Sequence, residues 1–191
     1  MHGALALKDT ETTEFSGNQI APAEKWCALL TESNAERKAC FWLRLRQYQP
    51  YWPRYKGTRK LNRHRRIDGW RSVIAGYIFL PLSAGVIPNW QLIEKTPGIR
   101  TIERPDGSKM FLNDDDMANL RRIEEALNAS VVAAAKGIPF KVGENVRFTL
   151  GLRELVGTII EIDKRGQITV ETKLFERSVR MTIPASDIEA L

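Results

Sequence analysis

Between Arg71 and Leu82 the chain is apolar on both alternating sets of positions, and this stretch limits the possible folds more than any other. Val73, Ala75, Tyr77 and Phe79 fall on one side of an extended strand, and Ile74, Ile78 and Leu80 on the other. A strand with one wet face alternates apolar with polar residues, so both faces of this one must be covered. Helices are expected to cover one. The other must meet more of this chain or a partner. The uncharged run that contains the strand, Ser72 to Ile93, has 22 residues, which is long enough to cross a bilayer. Pro81, Pro88, Gly76, Gly85, Asn89 and Gln91 break it, however, and its dense apolar part ends at Leu82. A buried strand followed by a turn is the expectation, with no membrane partner.

The rest of the composition suits a folded chain. With 43% apolar and 8% aromatic residues in 191, burial can offset chain entropy, and the length allows one domain or two small ones. Cys27 and Cys40 are too few for a disulfide scaffold or a Cys-rich zinc site and are expected in the core of a cytoplasmic protein. Met1 to Phe15 holds only the short apolar stretch Ala4 to Leu7, which does not read as a secretory signal.

The net charge of +6 is segregated: residues 1–24 carry −3, residues 25–72 carry +10, residues 73–135 carry −2 and residues 136–191 carry +1. Arg54, Lys56, Arg59, Lys60, Arg63, Arg65 and Arg66 fall within thirteen residues that contain no acid. A surface normally intersperses the two signs. A run of one sign is expected to contact nucleic-acid phosphates, where clustered cations release condensed counterions.

Along the chain, residues 1–24 read as an acidic disordered arm. Trp26 to Leu30 reads as a strand. Ser33 and Glu36 have capping-box spacing for a helix reaching about Gln49, with Ala35, Ala39, Trp42 and Leu43 on its buried face. Tyr51 to Lys56 reads as a strand before a basic loop. Asn89 to Lys95 gives a helical turn or two, Ile99 to Arg104 a strand, and Asp106-Gly107 a tight turn. Asn113 and the run Asp114, Asp115 and Asp116 precede Met117, Leu120, Ile123 and Leu127 at helical spacing, where acids offset the helix dipole. Residues 129–138 read as a linker. From 139 to 191, Val146–Thr149, Thr158–Ile162, Gln167–Thr172 and Ser178–Ile183 are strands without an intervening helix, which argues for a small all-β barrel. Its expected core is Val146, Phe148, Ile160, Ile168, Val170, Val179, Met181 and Ile183.

Several local patterns in this order resemble the NusG family of bacterial transcription elongation factors, with its RfaH-like paralogues. They are Trp26-Cys27-Ala28-Leu29, Glu36-x-x-Ala39-x-x-x-Leu43, Tyr48-x-x-Tyr51-Trp52-Pro53, Gly76-Tyr77-Ile78-Phe79, and Trp90 followed by Thr96-Pro97-Gly98-Ile99. Val142 to Arg147, Gly157, Leu174 to Arg177 and Ile188 to Leu191 resemble the KOW module. Most relatives carry Pro where this chain has Ala75. The segment Gly151 to Leu155 also departs from the usual KOW loop.

The resemblance implies an α+β chain. An N-terminal α/β sandwich over residues 25–128, an antiparallel sheet with flanking helices, would be joined by the linker to an SH3-like KOW barrel over residues 139–191. It further implies docking on the clamp of RNA polymerase through Trp26, Tyr51, Ile74, Gly76, Tyr77 and Phe79. The basic loop would lie on the DNA backbone near the transcription bubble, and the KOW module would recruit Rho or a ribosomal protein. That is binding, without catalysis or cofactor.

Two alternatives stand beside this reading, the first implied by the same KOW resemblance and the second drawn from the residues themselves. One is an RNA-binding or ribosome-associated KOW protein. The other is a metal-dependent nuclease built on Asp114, Asp115 and Asp116, which divalent-metal titration would reveal. His2 in the arm and His64 in the basic run have no visible partner for catalysis.

Overall fold

The computed structural model describes residues 25–60, 66–83, 87–129, 139–163 and 166–191. In chain order the first part contains β1 (Lys25–Thr31), α1 (Glu36–Leu45), β2 (Arg54–Lys60), β3 (Arg66–Ser72), β4 (Tyr77–Leu82), α2 (Trp90–Glu94), β5 (Ile99–Thr101), β6 (Phe111–Leu112) and α3 (Asp114–Ala129). The second part contains β7 (Asn145–Leu150), β8 (Arg153–Ile162), β9 (Gln167–Leu174), β10 (Arg177–Pro184), a 3₁₀ turn (Ala185–Asp187) and β11 (Ile188–Ala190).

β1 is the centre of the first sheet, antiparallel to β4 along one edge and to β5 and β6 along the other. Its side chains alternate. Cys27 and Leu29, with Ile78 and Leu80 of β4, meet Ala39, Cys40 and Leu43 of α1 and Ile93, Ile99 and Ile102. Trp26 and Ala28, with Tyr77 and Phe79, face the opposite way into a second core. On α1, Cys40 takes the buried place expected for Trp42, which is 38% exposed.

Both ends of α1 depart from expectation. No capping box forms: Ala35 is the N-cap and makes no side-chain cap bond. The Glu36 carboxylate turns inward and accepts from the Gly76 N–H and the Ser72 hydroxyl, each at 2.9 Å. A buried amide needs an acceptor more than an exposed helix start does. The helix ends at Leu45 rather than near Gln49, because Gln47 takes φ 65° and the Tyr48 N–H turns back to the Leu43 carbonyl at 3.0 Å.

The long strand expected from Arg71 to Leu82 is two strands with a break between. β3 ends at Ser72, β4 begins at Tyr77, and Gly76 has φ +81°. That left-handed step suits a residue without Cβ. The chain also bends at Val73, and sequence neighbours Val73 and Ile74 are both fully buried in the core that holds Tyr77 and Phe79. The expected basic loop is mostly a hairpin, with β2 paired to β3 from Arg54↔Ser72 to Lys60↔Arg66. The expected arm, the linker over 130–138, and Arg63, His64 and Arg65 lie outside the described residues.

The C-terminal part corrects the barrel expectation. Its five strands form one antiparallel sheet in the order β10-β9-β8-β7-β11, and β10 and β11 do not pair to close it. The physical reason lies at the edge of β10, whose outward backbone groups bond to residues 73 and 75 of the first part. A bulge between Ile159 and Glu161 shifts the β8–β9 register. Ile159 is therefore buried, while the expected core residue Ile160 is only half-buried.

Candidate functional site

The six apolar positions singled out in the sequence come together, and the C-terminal sheet lies over them. Trp26, Ile74, Tyr77 and Phe79 are fully buried, while Tyr51 and Gly76 are half-buried. Trp26, Ile74, Tyr77 and Phe79, with Tyr51 packed against them, share one core with Val146, Phe148, Ile168, Val170, Met181 and Ile183 of the C-terminal sheet and with Met117, Leu120, Ile123 and Leu127 of α3. Fully burying a large apolar side chain contributes about 1.5–3 kcal/mol, so the face stays closed on water only while something covers it.

Directional contacts fix how the sheet sits. Ile74 pairs with Met181 in an antiparallel bridge. The Ala75 N–H donates to the Arg180 carbonyl at 2.9 Å, and the Thr182 N–H donates to the Val73 carbonyl at 2.8 Å. The Phe175 ring lies 6.0 Å from that of Tyr77, with the Arg104 guanidinium 5.6 Å from its centre. Arg177 donates to the Glu103 carbonyl at 3.3 Å, and the Gln167 amide donates to the Leu127 carbonyl at 3.2 Å. Ion pairs Arg153–Asp116 at 3.6 Å and Arg122–Asp187 at 2.9 Å complete the seam.

A polar network supports the face from behind. The Trp26 indole N–H donates to Asp114 at 2.9 Å, and its ring meets Tyr51 edge-on at 6.2 Å. The Arg121 guanidinium lies 5.2 Å from the Trp26 ring centre and 5.8 Å from that of Tyr51. Tyr51 donates its hydroxyl to Glu124, which also accepts from the Arg54 N–H at 3.1 Å. Burial raises the Glu124 carboxyl above its usual range and, with the neighbouring Glu124 charge, raises the Tyr51 phenol. One turn on, Asn128 accepts from the Lys56 N–H at 3.0 Å and donates to the Arg54 carbonyl at 3.1 Å. Its amide thereby continues the β2 edge onto α3.

The hairpin carries the basic run. The Arg54 guanidinium lies between two indoles, 5.2 Å from the Trp52 ring centre and 4.4 Å from that of Trp70, and the Lys56 ammonium is 5.7 Å from Trp70. Such cation–π contacts stiffen the hairpin root. Arg59 and Lys60 lie towards the far end of β2 and Arg66 begins β3, at the end of the hairpin away from its Arg54↔Ser72 root; Arg63 and Arg65 lie outside the described residues.

The three aspartates serve separate structural ends. Asp114 receives Trp26, Asp115 is exposed, and Asp116 forms a reciprocal box with Asn113 at 2.8 and 3.3 Å while facing Arg153. Among the described residues no group of three His, Cys, Asp or Glu side chains could hold a metal ion. Burial pushes the Cys27 and Cys40 thiols up to about 12 and about 11, so neither supplies thiolate near neutrality.

Residue-by-residue reading missed Arg121, Glu124 and Asn128. Their spacing on α3, three and four residues apart beside the apolar stripe, is the signal that places them on one edge of the buried face. It also missed Arg180 and Thr182, because main-chain partnerships leave no trace in side-chain identity.

Residues 24–121 match the family described as transcription termination factor NusG. The chain belongs to that family and has its general role in transcription elongation. Among solved structures, one titled "Domain interaction in Thermotoga maritima NusG" has a TM-score of 0.51 at 19% identity, covering 87% of this chain and 97% of that one. A second, titled "Crystal Structure of MjSpt4:Spt5 complex conformation A", has a TM-score of 0.25 at 16% identity over the same shares. Comparison with curated protein sequences gives no significant match.

Proposed function

We propose that the chain is a two-module elongation or antitermination factor whose polymerase-docking face is covered by its own C-terminal sheet. The N-terminal module, residues 25–128, docks on the RNA polymerase clamp through Trp26, Tyr51, Ile74, Gly76, Tyr77 and Phe79. The hairpin presents Arg54, Lys56, Arg59, Lys60, Arg63, Arg65 and Arg66 to the DNA backbone near the bubble. Once displaced, the module over residues 139–191 recruits a second partner, Rho or a ribosomal protein, at the high effective concentration its tether gives.

The observation that carries this reading is the burial of Trp26, Ile74, Tyr77 and Phe79 in one core with residues of the C-terminal sheet, in a member of this family. A face that apolar cannot be offered to water for long, and the same chemistry that suits Met181 and Phe148 suits a partner's apolar surface. The Thermotoga maritima relative, whose title speaks of domain interaction, agrees with a covered arrangement here.

The test is capture of RNA polymerase elongation complexes by the full chain, with Phe148→Asp used to drive the sheet off the face. We expect weak capture by the wild type and stronger capture by the variant. No capture by either, with the N-terminal module still folded by circular dichroism, would sink the docking assignment.

A further inference from the structure

We propose that residues 73–75 form a backbone clasp that holds the C-terminal sheet closed, and that the Ala75 N–H is its decisive donor. The proposal rests on the reading of the covered face as a docking surface.

β10 is an end strand of its sheet, so its outward N–H and C=O groups have no partner within that sheet. Such an edge accepts another strand. Here residues 73–75 supply it: the bonds from Ala75 to Arg180 and from Thr182 to Val73 flank the Ile74–Met181 bridge. The segment is available because it belongs to neither neighbouring strand, β3 having ended at Ser72 and β4 not yet begun. Both bridging side chains are essentially unexposed, Ile74 at 0% and Met181 at 1%. A one-residue slip would reverse which of them point inward, so this register alone closes the core.

The near end of β10 is held by side chains as well. Phe175 and Glu176 form a two-residue turn at φ 51° and 63°. Non-glycine residues rarely adopt that conformation, and it is kept here because it delivers the Phe175 ring to Tyr77.

The clasp makes a prediction specific to one atom. The Ala75 side chain is exposed, but a proline Cδ would take the place of the N–H hydrogen and abut the Arg180 carbonyl, now 2.9 Å from the nitrogen, so Ala75→Pro removes the bond and adds a clash in the closed form alone. Proline removes the N–H and leaves the Arg180 carbonyl unpaired in the closed form. Once the sheet has swung away, water takes that carbonyl. The loss and the clash both fall on the closed form, and opening should rise by at least roughly 5-fold, the lower end for one such bond.

Amide hydrogen exchange on the full chain reads this out directly, because the Thr182 amide is protected only while Val73 accepts from it. In Ala75→Pro the Thr182 amide should exchange faster by at least that factor, with amides between β8 and β9 unchanged. Thr182→Pro breaks the same clasp from the other side, together with the buried Thr182 hydroxyl contacts to Tyr55 and Thr169, and should speed the Ala75 amide likewise; Thr182→Val, which loses those hydroxyl contacts but keeps the N–H, should not. Unchanged exchange in both proline variants overturns the clasp. So does equal acceleration between β8 and β9, which would mean the bonds hold the sheet itself together. Polymerase capture by the same variants separates the two readings: faster exchange without improved capture leaves the clasp standing and refutes the docking face, while unchanged exchange refutes the clasp whatever capture does.

Discussion

Gly151 offers a steric probe of the closed arrangement that touches no apolar residue. It opens the two-residue turn between β7 and β8 at φ +63°, and a Cβ built there would lie 2.3 Å from Asp116 Oδ1, 2.6 Å from its Cα and 2.8 Å from its backbone nitrogen. Carbon contacts are comfortable at about 3.5–4.0 Å, so one side must withdraw by about 1 Å. The first turn of α3 is held by the Asp116 N–H to Asn113 bond at 2.8 Å, so the turn of the C-terminal sheet is what moves. Gly151→Ala therefore carries two costs. Left-handed backbone at a non-glycine residue costs about 1–2 kcal/mol, in open and closed forms alike. The overpacking against Asp116 costs about 1–3 kcal/mol and exists only in the closed form, so opening should increase roughly 5- to 150-fold. Exchange of the Thr182 amide measures the second cost, and thermal melting measures the sum. A variant that melts lower but keeps wild-type protection at Thr182 would show that the turn yields freely, and the steric argument would fail.

Two further outcomes follow from the charged groups. Because burial raises the Glu124 carboxyl above its unfolded range, the folded form binds its proton more tightly; stability from this group is greatest at low pH and is lost as pH rises through the raised value. Glu124→Gln should flatten that dependence in melting curves taken from pH 4 to 8, and an unchanged slope would place the titration elsewhere. Replacing Arg59, Lys60 and Arg66 by Ala should weaken duplex DNA binding about equally across sequences and flatten its salt dependence by a slope of roughly 0.9 for each phosphate no longer neutralised. Lost sequence discrimination with an unchanged salt slope, measured by fluorescence anisotropy, would mean that the hairpin reads bases.

Much of this architecture was legible because it is written in side chains. Strand alternation placed Val146, Phe148, Ile168, Val170, Met181 and Ile183 in a core, and the doubly apolar stretch around Tyr77 demanded a cover. What periodicity could not show is where a strand breaks. The bend at Val73 and the left-handed step at Gly76 together put Val73, Ile74 and Tyr77 in one core, and apolar residues on both sides look the same whether the strand is whole or bent. Closure of the C-terminal sheet was illegible for a similar reason. Whether β10 pairs with β11 or with a distant segment depends on backbone groups that every residue but proline shares. The departure from proline at Ala75 was visible, but its meaning appears only when its N–H is seen to reach Arg180.

The seam also contains its own reasons to open. The Tyr77 hydroxyl is buried without a hydrogen-bond partner among the described residues, as is one carboxylate oxygen of Asp116, and a buried polar atom left unpaired costs about 1–3 kcal/mol. Opening the sheet lets water reach Tyr77 and Asp116. These penalties oppose the apolar burial that closes the sheet, and they do so at the positions where the two parts meet. Closure is therefore weaker than its buried area suggests, which is what a switch requires: two arrangements separated by a few kcal/mol, so that a partner with modest preference for the bare face can shift the population.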